Sequence, residues 1–148
     1  MTAKAFLGAH LAALSERFSI DLAANVSRPD ELDGIKKHAR AVPVPVPRRI
    51  SPLADLAALL SLHALFRRER YAAVSSITPK AGLLSMLAAA LAGVPLRTHM
   101  FTGQVWAART GWKRWLLKTA DRLIARLATH VLADSPSQRD FLVAEGVV

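Results

Sequence analysis

The chain has 148 residues, the length of one ordinary domain, and 52% of them are hydrophobic, which supports a buried core and excludes general disorder. Its 20 lysine and arginine residues outnumber its 11 aspartate and glutamate residues, giving a formal net charge of +9. That charge fits a solvated basic face or an anionic partner, while the absence of cysteine excludes disulfides and cysteine-bound metals and is typical of a cytoplasmic protein.

The first third of the chain alternates between helical and extended patterns. Residues 3–17 carry apolar side chains at helical spacing, and residues 19–26 form a short apolar run typical of a strand. Residues 28–37 are charged and contain proline and glycine, which predicts a loop. Residues 41–47 hold three alternate prolines. Because proline has no N–H to donate to a sheet, this segment must be extended and at an edge.

The rest of the chain alternates between helices and strands. Three helices are predicted to begin at a serine or threonine N-cap followed by proline, at Ser51-Pro52, Thr78-Pro79 and Ser135-Pro136. The predicted helices cover residues 52–70, 80–92, 112–129 and 136–145, and the predicted strands cover 71–77, 96–101 and 130–133, with a loop at 102–111. No apolar run reaches the ~18 residues that a membrane-spanning helix needs.

This order of elements predicts an α/β fold with a Rossmann-like parallel sheet and helices on both faces. A doubly wound domain of this kind starts with a strand at the centre of its sheet, whereas this chain starts directly in a helix. We infer that the first strand, of roughly half a dozen residues, is missing upstream. Neighbouring strands would then lack a hydrogen-bonding partner, which favours self-association.

Three blocks of sequence stand out by their order and spacing. They are SITPKAGLL at 76–84, LAGVPLR at 91–97 followed by FTGQVW at 101–106, and ARLATHVLADSPS at 125–137. Together they resemble the family 4 glycosyltransferases of bacterial surface polysaccharide synthesis, and the resemblance covers residues 6–146. The chain departs from the family pattern at two places: Ser75 and Ile77 stand where relatives often have histidines, and Thr102-Gly103 stands where many have His-Gly.

The resemblance implies an enzyme of the GT-B architecture, with two Rossmann-like domains facing across a cleft. The first domain mainly binds the acceptor, and residues 1–148 are expected to be a partial version of it. The second domain, expected to be absent here, binds the nucleotide-sugar donor and carries a pair of glutamates. The implied activity is sugar transfer to a lipid-linked glycan, with retention of configuration, by a cytoplasmic protein at the inner face of the membrane. The chain alone is expected to be inactive, and no cofactor or metal is expected.

The expected site lies at the carboxyl ends of the strands, where ligands of open parallel sheets collect. Loops 75–80, 102–111 and 134–137 meet there, and two of them lead into helix N-termini that favour anions. The candidate acceptor-binding residues are Thr78, Lys80, Gly103, Arg109 and Ser135, and the candidate catalytic residues are His99 and Thr102. The alternatives are that Thr78 and Ser135 only cap helices and that His99 is a structural histidine.

The long helix at 112–129 has two contrasting rows of residues. At 100° per residue, an apolar row should pack on the sheet: Trp112, Leu116, Ala120, Leu123 and Leu127. A basic row with a tryptophan inside it should lie on the opposite, open side: Arg114, Trp115, Lys118, Arg122 and Arg126. That row suits an anionic membrane surface, single-stranded nucleic acid, or a merely solvated face. A non-enzymatic basic module that binds membrane or nucleic acid is therefore the alternative function.

Overall fold

The computed structural model describes residues 2–24, 37–46 and 51–148, which divide into two compact units, Met1–Ile50 and Ser51–Val148. In the first unit, the elements are α1 (Thr2–Ser15), β1 (Asp21–Ala24) and β2 (Arg40–Pro43). In the second, they are α2 (Pro52–Glu69), β3 (Ala73–Ser76), α3 (Pro79–Leu91), β4 (Leu96–Phe101), α4 (Gly111–Leu127), β5 (His130–Ala133) and α5 (Pro136–Ala144). The predicted loop at 28–37 lies outside the described residues except for its last position.

The first unit contains a parallel pair of strands, β1 and β2. Arg40 N donates to Ile20 O at 2.8 Å, so the N–H groups of alternate β2 residues point to β1. Pro43 has the opposite parity, and its missing N–H therefore falls on the outer side of β2, as expected for an edge. The prediction of an extended edge segment is confirmed over β2. Beyond it, Val46 N donates to Val44 O at 2.9 Å and the chain turns.

The second unit contains a three-stranded parallel sheet in the order β3-β4-β5. Its crossover helices α3 and α4 contact each other and lie on one face. On that covered face the sheet buries alternate residues, among them Val74, His99 and Phe101, whereas Leu96 and Leu132 on the other face are exposed. The α/β class with parallel strands is confirmed, although the described strands form two sheets instead of one.

The missing first strand stays a prediction. The classic strand order of a doubly wound sheet is 3-2-1-4-5-6. When strand 1 is removed from this order, a pair of strands (3-2) and a group of three consecutive strands (4-5-6) remain. The two described sheets, β1-β2 and β3-β4-β5, each have one of these orders.

The prediction for the faces of α4 is confirmed for Trp115 and Arg126, which lie on the open side, and is wrong for the other members of the basic row and for most of the apolar row. Trp112, Leu116 and Leu123, which were expected to pack on the sheet, are exposed, and the fully buried residues of α4 are Asp121 and Ile124. The helix is rotated so that Arg114, Lys118 and Arg122 turn inward, because partners from outside the helix, described below, bind these three side chains.

Candidate functional site

The carboxyl ends of β3, β4 and β5 lie at one edge of the sheet because the three strands are parallel. The loops that leave this edge, together with the first turn of α3, carry six of the predicted site residues: Thr78, Lys80, Thr102, Gly103, Arg109 and Ser135. Four of these are exposed, and Lys80 and Ser135 are half-buried. The structure thus brings the predicted acceptor-binding residues to a single edge, which we call the carboxyl edge.

Gly103 gives the loop after β4 an open backbone. Its φ of 149° lies in the region that favours glycine, and a Cβ built there would meet no atom within 4 Å. Together with the exposed hydroxyl of Thr102, this segment can offer backbone and side-chain hydrogen-bonding groups to a polar ligand.

The N-terminus of α3 is arranged differently from the prediction. Thr78 occupies the N-cap position with extended backbone but makes no side-chain cap bond, so the capping interpretation is wrong for its hydroxyl. The ammonium of Lys80 lies 2.6 Å from Asp55 Oδ1, and Asp55 Oδ2 also accepts from Ser51 N at 3.2 Å. The hydrogen bond from Lys80 holds the pKa of Asp55 below its ordinary value.

This ion pair changes what the loop can do. The charge of Lys80 is largely offset by Asp55, which leaves the uncapped backbone N–H groups of the first turn of α3 as the anion-binding feature. Sequence reasoning missed Asp55, because it lies on another helix far along the chain and no spacing pattern connects the two residues.

Ser135 is a structural cap, as the alternative interpretation held. Its Oγ accepts from Gln138 N at 3.2 Å at the start of α5. The Gln138 side chain then joins two loops: its Oε1 accepts from Asp134 N at 3.2 Å, and its Nε2 donates to Gln104 Oε1 at 3.4 Å. The loop after β4 and the start of α5 are therefore coupled at the carboxyl edge.

His99 does not reach the surface. Its side chain is 0% exposed under α3, where a Cβ on Gly82 would lie 2.5 Å from the imidazole Cε1. Its Nδ1 is hydrogen-bonded to Ser76 Oγ at 2.7 Å, and its ring packs edge-on against Phe101 with centroids 4.5 Å apart. Burial lowers the pKa of His99 to about 4, so the ring is neutral at neutral pH. This placement favours the structural interpretation over an acid or base in the cleft.

The loop after β4 is anchored by Trp106, which is also 0% exposed. Its Nε1 donates to Asp121 Oδ2 at 2.7 Å, and its ring stacks on Phe141 with centroids 5.5 Å apart. The cations of Arg114 and Lys118 lie over the same ring, 5.0 and 5.4 Å from its centroid. Burial raises the pKa of Asp121, and the bond from Trp106 partly opposes that rise. These contacts of Trp106 hold in place the loop that carries Thr102 and Gly103.

Three cations of the predicted open row are engaged within the fold. Arg114 and Lys118 both bind Glu145 Oε2, at 2.8 and 2.6 Å, and these bonds lower the pKa of Glu145. Arg122 Nε donates to Gly146 O at 2.8 Å, just beyond the C-terminus of α5. Only Trp115 and Arg126 of this row are exposed. Sequence reasoning missed Glu145, whose position at the end of α5 gave no signal of its role.

The amino edge of the same sheet is closed by different contacts. Arg97 Nε donates to Leu127 O at 2.7 Å, and Thr129 Oγ1 donates to Arg97 O at 3.0 Å. A shallow groove of about 330 Å³ lies near this edge and is lined in part by Arg126, Val131 and Val147. Its lining includes none of the predicted acceptor-binding residues.

The described residues provide neither a membrane-spanning helix nor a metal site. Among the helices of the described ranges, none is both long and apolar enough to span a bilayer. Within the same ranges, no cluster of three or more histidine, aspartate or glutamate side chains could hold a metal ion.

Comparison with known proteins gives consistent matches. The sequence profile of the glycosyl transferase 4-like domain family matches residues 6–148. A capsular polysaccharide biosynthesis glycosyltransferase, CapM of Staphylococcus aureus, is 30% identical over 104 residues, covering 70% of this chain and 27% of the relative. The UDP-Gal:alpha-D-GlcNAc-diphosphoundecaprenol alpha-1,3-galactosyltransferase of Escherichia coli is 38% identical over 90 residues, covering 60% of this chain and 23% of the relative. The matches thus span about a quarter of the length of these curated relatives.

Proposed function

We propose, from the premise that this chain belongs to the glycosyl transferase 4-like domain family, that it is the acceptor-side part of a glycosyltransferase of surface polysaccharide synthesis. The family match over residues 6–148 carries this proposal. The aligned part of each curated relative is only about a quarter of that protein. We therefore assign the binding site for the donor sugar and the catalytic residues to another part of the enzyme.

The proposed acceptor is a lipid-linked glycan with a diphosphate linker. One relative acts, by its name, on N-acetylglucosamine linked to diphosphoundecaprenol. The uncapped N-terminus of α3 suits the diphosphate, because its free N–H groups and helix dipole favour negative charge. Thr102 and the backbone of Gly103 suit sugar hydroxyls, and exposed Arg109 adds a positive charge on the same loop.

The contribution of this part of the enzyme is orientation. The acceptor hydroxyl must face the anomeric carbon of a nucleotide sugar, and holding both in a productive geometry supplies a large share of the rate enhancement of such transfers. Trp106 and Gln138 fix the loop that carries Thr102 and Gly103, which makes that loop suitable for positioning. We assign the donor to a second domain, with no cofactor, and expect this chain alone to be inactive.

The location proposed for the enzyme is the inner, cytoplasmic face of the membrane, where a lipid-linked acceptor is held. The alternative of a non-enzymatic basic module has weaker support, because Arg114, Lys118 and Arg122 are engaged within the fold and do not form an open basic stripe.

The test is equilibrium binding of a soluble short-chain prenyl-diphosphate-linked N-acetylglucosamine, measured by calorimetry, with a UDP-hexose as the comparison ligand. We expect the prenyl-linked sugar to bind and the UDP-hexose not to bind. Thr102→Ala should weaken binding about 2- to 10-fold, the effect of losing one hydrogen bond.

The matched control is Ser61→Ala, which removes an exposed hydroxyl of α2 that donates to Ala57 O within its own helix. It should leave the affinity unchanged. Absence of binding, or equal affinities for Thr102→Ala and the unchanged chain, would contradict the proposed acceptor site.

A further inference from the structure

The side of α4 that faces away from the rest of the second unit carries large apolar side chains. Trp112 is 69% exposed, Trp115 65%, Leu116 47% and Leu123 42%. At 100° per residue these positions fall in an arc about 100° wide, and Thr119 lies between them. We call these five residues the open face of α4. A cluster of large exposed apolar side chains is uncommon on a surface that meets only water. The open face of α4 therefore indicates an interaction site.

Cations lie on or next to the open face: Arg126 falls within its arc, Lys113 follows Trp112, and Arg109 lies two residues before α4. Arg109, Lys113 and Arg126 are exposed, and none of them pairs with a carboxylate among the described residues. The only acidic residue of α4, Asp121, is buried on the opposite side of the helix. Lys113 also lies 5.8 Å from the Trp112 ring centroid, which keeps its charge beside the aromatic surface. A partner that matches this face must therefore offer both apolar groups and negative charge.

We propose that the open face of α4 docks on an anionic phospholipid bilayer. Tryptophan concentrates at the boundary between headgroups and acyl chains because its ring is apolar and its N–H is polar. The leucines add aliphatic area that acyl chains can cover, and the three cations match anionic headgroups. A single-stranded nucleic acid fits less well, since it requires cations along a groove with aromatic rings between them, and leucines offer bases no stacking surface.

A second exposed apolar stripe in the chain provides a contrast. On α2, Leu53, Leu56 and Leu60 are exposed at helical spacing, but the stripe contains no tryptophan, and Asp55 lies in the first turn of the same helix. By the charge and aromatic criteria, this stripe is not a membrane surface. It is therefore an internal control for apolar exposure alone.

The open face also has a defined relation to the carboxyl edge. The loop after β4 leaves that edge and leads into α4, so Trp112 and Trp115, in the first turns, lie at the same end as Thr102 and Gly103. A bilayer that meets this end of α4 would hold the carboxyl edge near the headgroups. This orientation rests on the proposed function, whereas the docking itself does not.

The experiment measures binding of the chain to vesicles of mixed phosphatidylglycerol and phosphatidylcholine, by co-sedimentation and by quenching of tryptophan fluorescence with brominated lipids. We expect binding and quenching of Trp112 and Trp115, while Trp106, which is buried, stays unquenched in the variant Trp112→Phe/Trp115→Phe. Trp112→Ser/Trp115→Ser should weaken binding roughly tenfold or more. Lys113→Gln and Arg126→Gln should each weaken it about fivefold.

The matched control is Leu53→Ser/Leu60→Ser, which removes a comparable apolar area from α2 and should leave vesicle binding unchanged. Circular dichroism checks that all three double variants fold. The proposal is overturned if brominated lipids leave the fluorescence unchanged, if the control weakens binding as much as the tryptophan variant, or if oligonucleotides bind more tightly than vesicles. It is also overturned if the tryptophan variant only converts a dimer to a monomer in sedimentation, since the partner is then a second copy.

The acceptor-binding test uses a soluble ligand and no bilayer, so either proposal can fail alone.

Discussion

The two sides of α4 differ in a way that reverses the usual distribution of residues. The inner side holds charged groups, Arg114, Lys118 and Asp121, each with a partner from another element. The open side holds Trp112 and Trp115. Buried or half-buried charges are stable only when they are paired, and here Glu145 and Trp106 provide the pairing. Binding partners outside a helix can therefore decide which side of that helix is buried.

The largest expected effect comes from removing a tryptophan on each side. Trp106→Ala deletes a fully buried ring and its bond to Asp121, so the free energy of unfolding should fall by about 3–5 kcal/mol. Trp115→Ala removes an exposed ring and should change it by less than about 0.5 kcal/mol. Urea denaturation of both variants measures the difference. Equal losses would mean that the two sides of α4 are not distinguished in this way.

The second expected effect compares two histidines on opposite faces of the sheet, the buried His99 and the exposed His130. His99 is buried with its pKa lowered to about 4, while unfolded histidine titrates near 6.5. As pH falls from about 6.5 to about 4, the unfolded chain gains a proton that the folded chain does not, so stability should fall by about 3 kcal/mol. Denaturation at a series of pH values tests this. The effect should persist in a variant of exposed His130, His130→Gln, and a pH-independent stability would contradict it.

A smaller effect is expected from the carboxylate that binds the inner cations. Glu145→Gln should lower the melting temperature at neutral pH, because Arg114 and Lys118 lose their shared partner. The pKa of Glu145 is lowered, so its contribution is present above the ordinary value of 4.5 and is lost as pH falls through the lowered folded pKa. The difference from the unchanged chain should therefore vanish in acid. Asp140→Asn, which breaks an exposed pair with Arg139, is the control and should change little.

The smallest effect concerns a pair at the carboxyl edge. Lys80→Met removes the group that lowers the pKa of Asp55, so this pKa should rise toward its ordinary value of 3.8. Carbon NMR of the Asp55 carboxyl group follows the titration directly. An unchanged pKa would contradict the pairing of Lys80 with Asp55.

Much of the fold follows from local sequence patterns. The strands at Leu96–Phe101 and His130–Ala133 have the predicted bounds, because turn signals such as Gly93, Pro95 and Pro136 lie close to their ends. The pairs of serine or threonine with proline also marked the starts of three helices correctly. These features depend on residues close together in the chain, which is why they were predictable.

The site was predicted less completely because its chemistry depends on distant partners. His99 was placed at a strand end, but its burial is set by Gly82 on the covering helix. Lys80 is paired by Asp55, and the basic row of α4 is paired by Glu145. Hydrophobic periodicity alone gave the wrong orientation of α4, since apolar area does not reveal where a buried carboxylate finds its hydrogen-bond donor.

The most direct test of the account maps the acceptor on the protein residue by residue. Backbone amide shifts of the isotope-labelled chain would be recorded during titration with the short-chain prenyl-diphosphate-linked N-acetylglucosamine. We predict shifts at the start of α3, at Thr102 and Gly103, and in the loop before α5, with none at the amino-edge groove lined by Arg126 and Val131. Shifts confined to that groove, or no shifts at all, would contradict an acceptor site at the carboxyl edge.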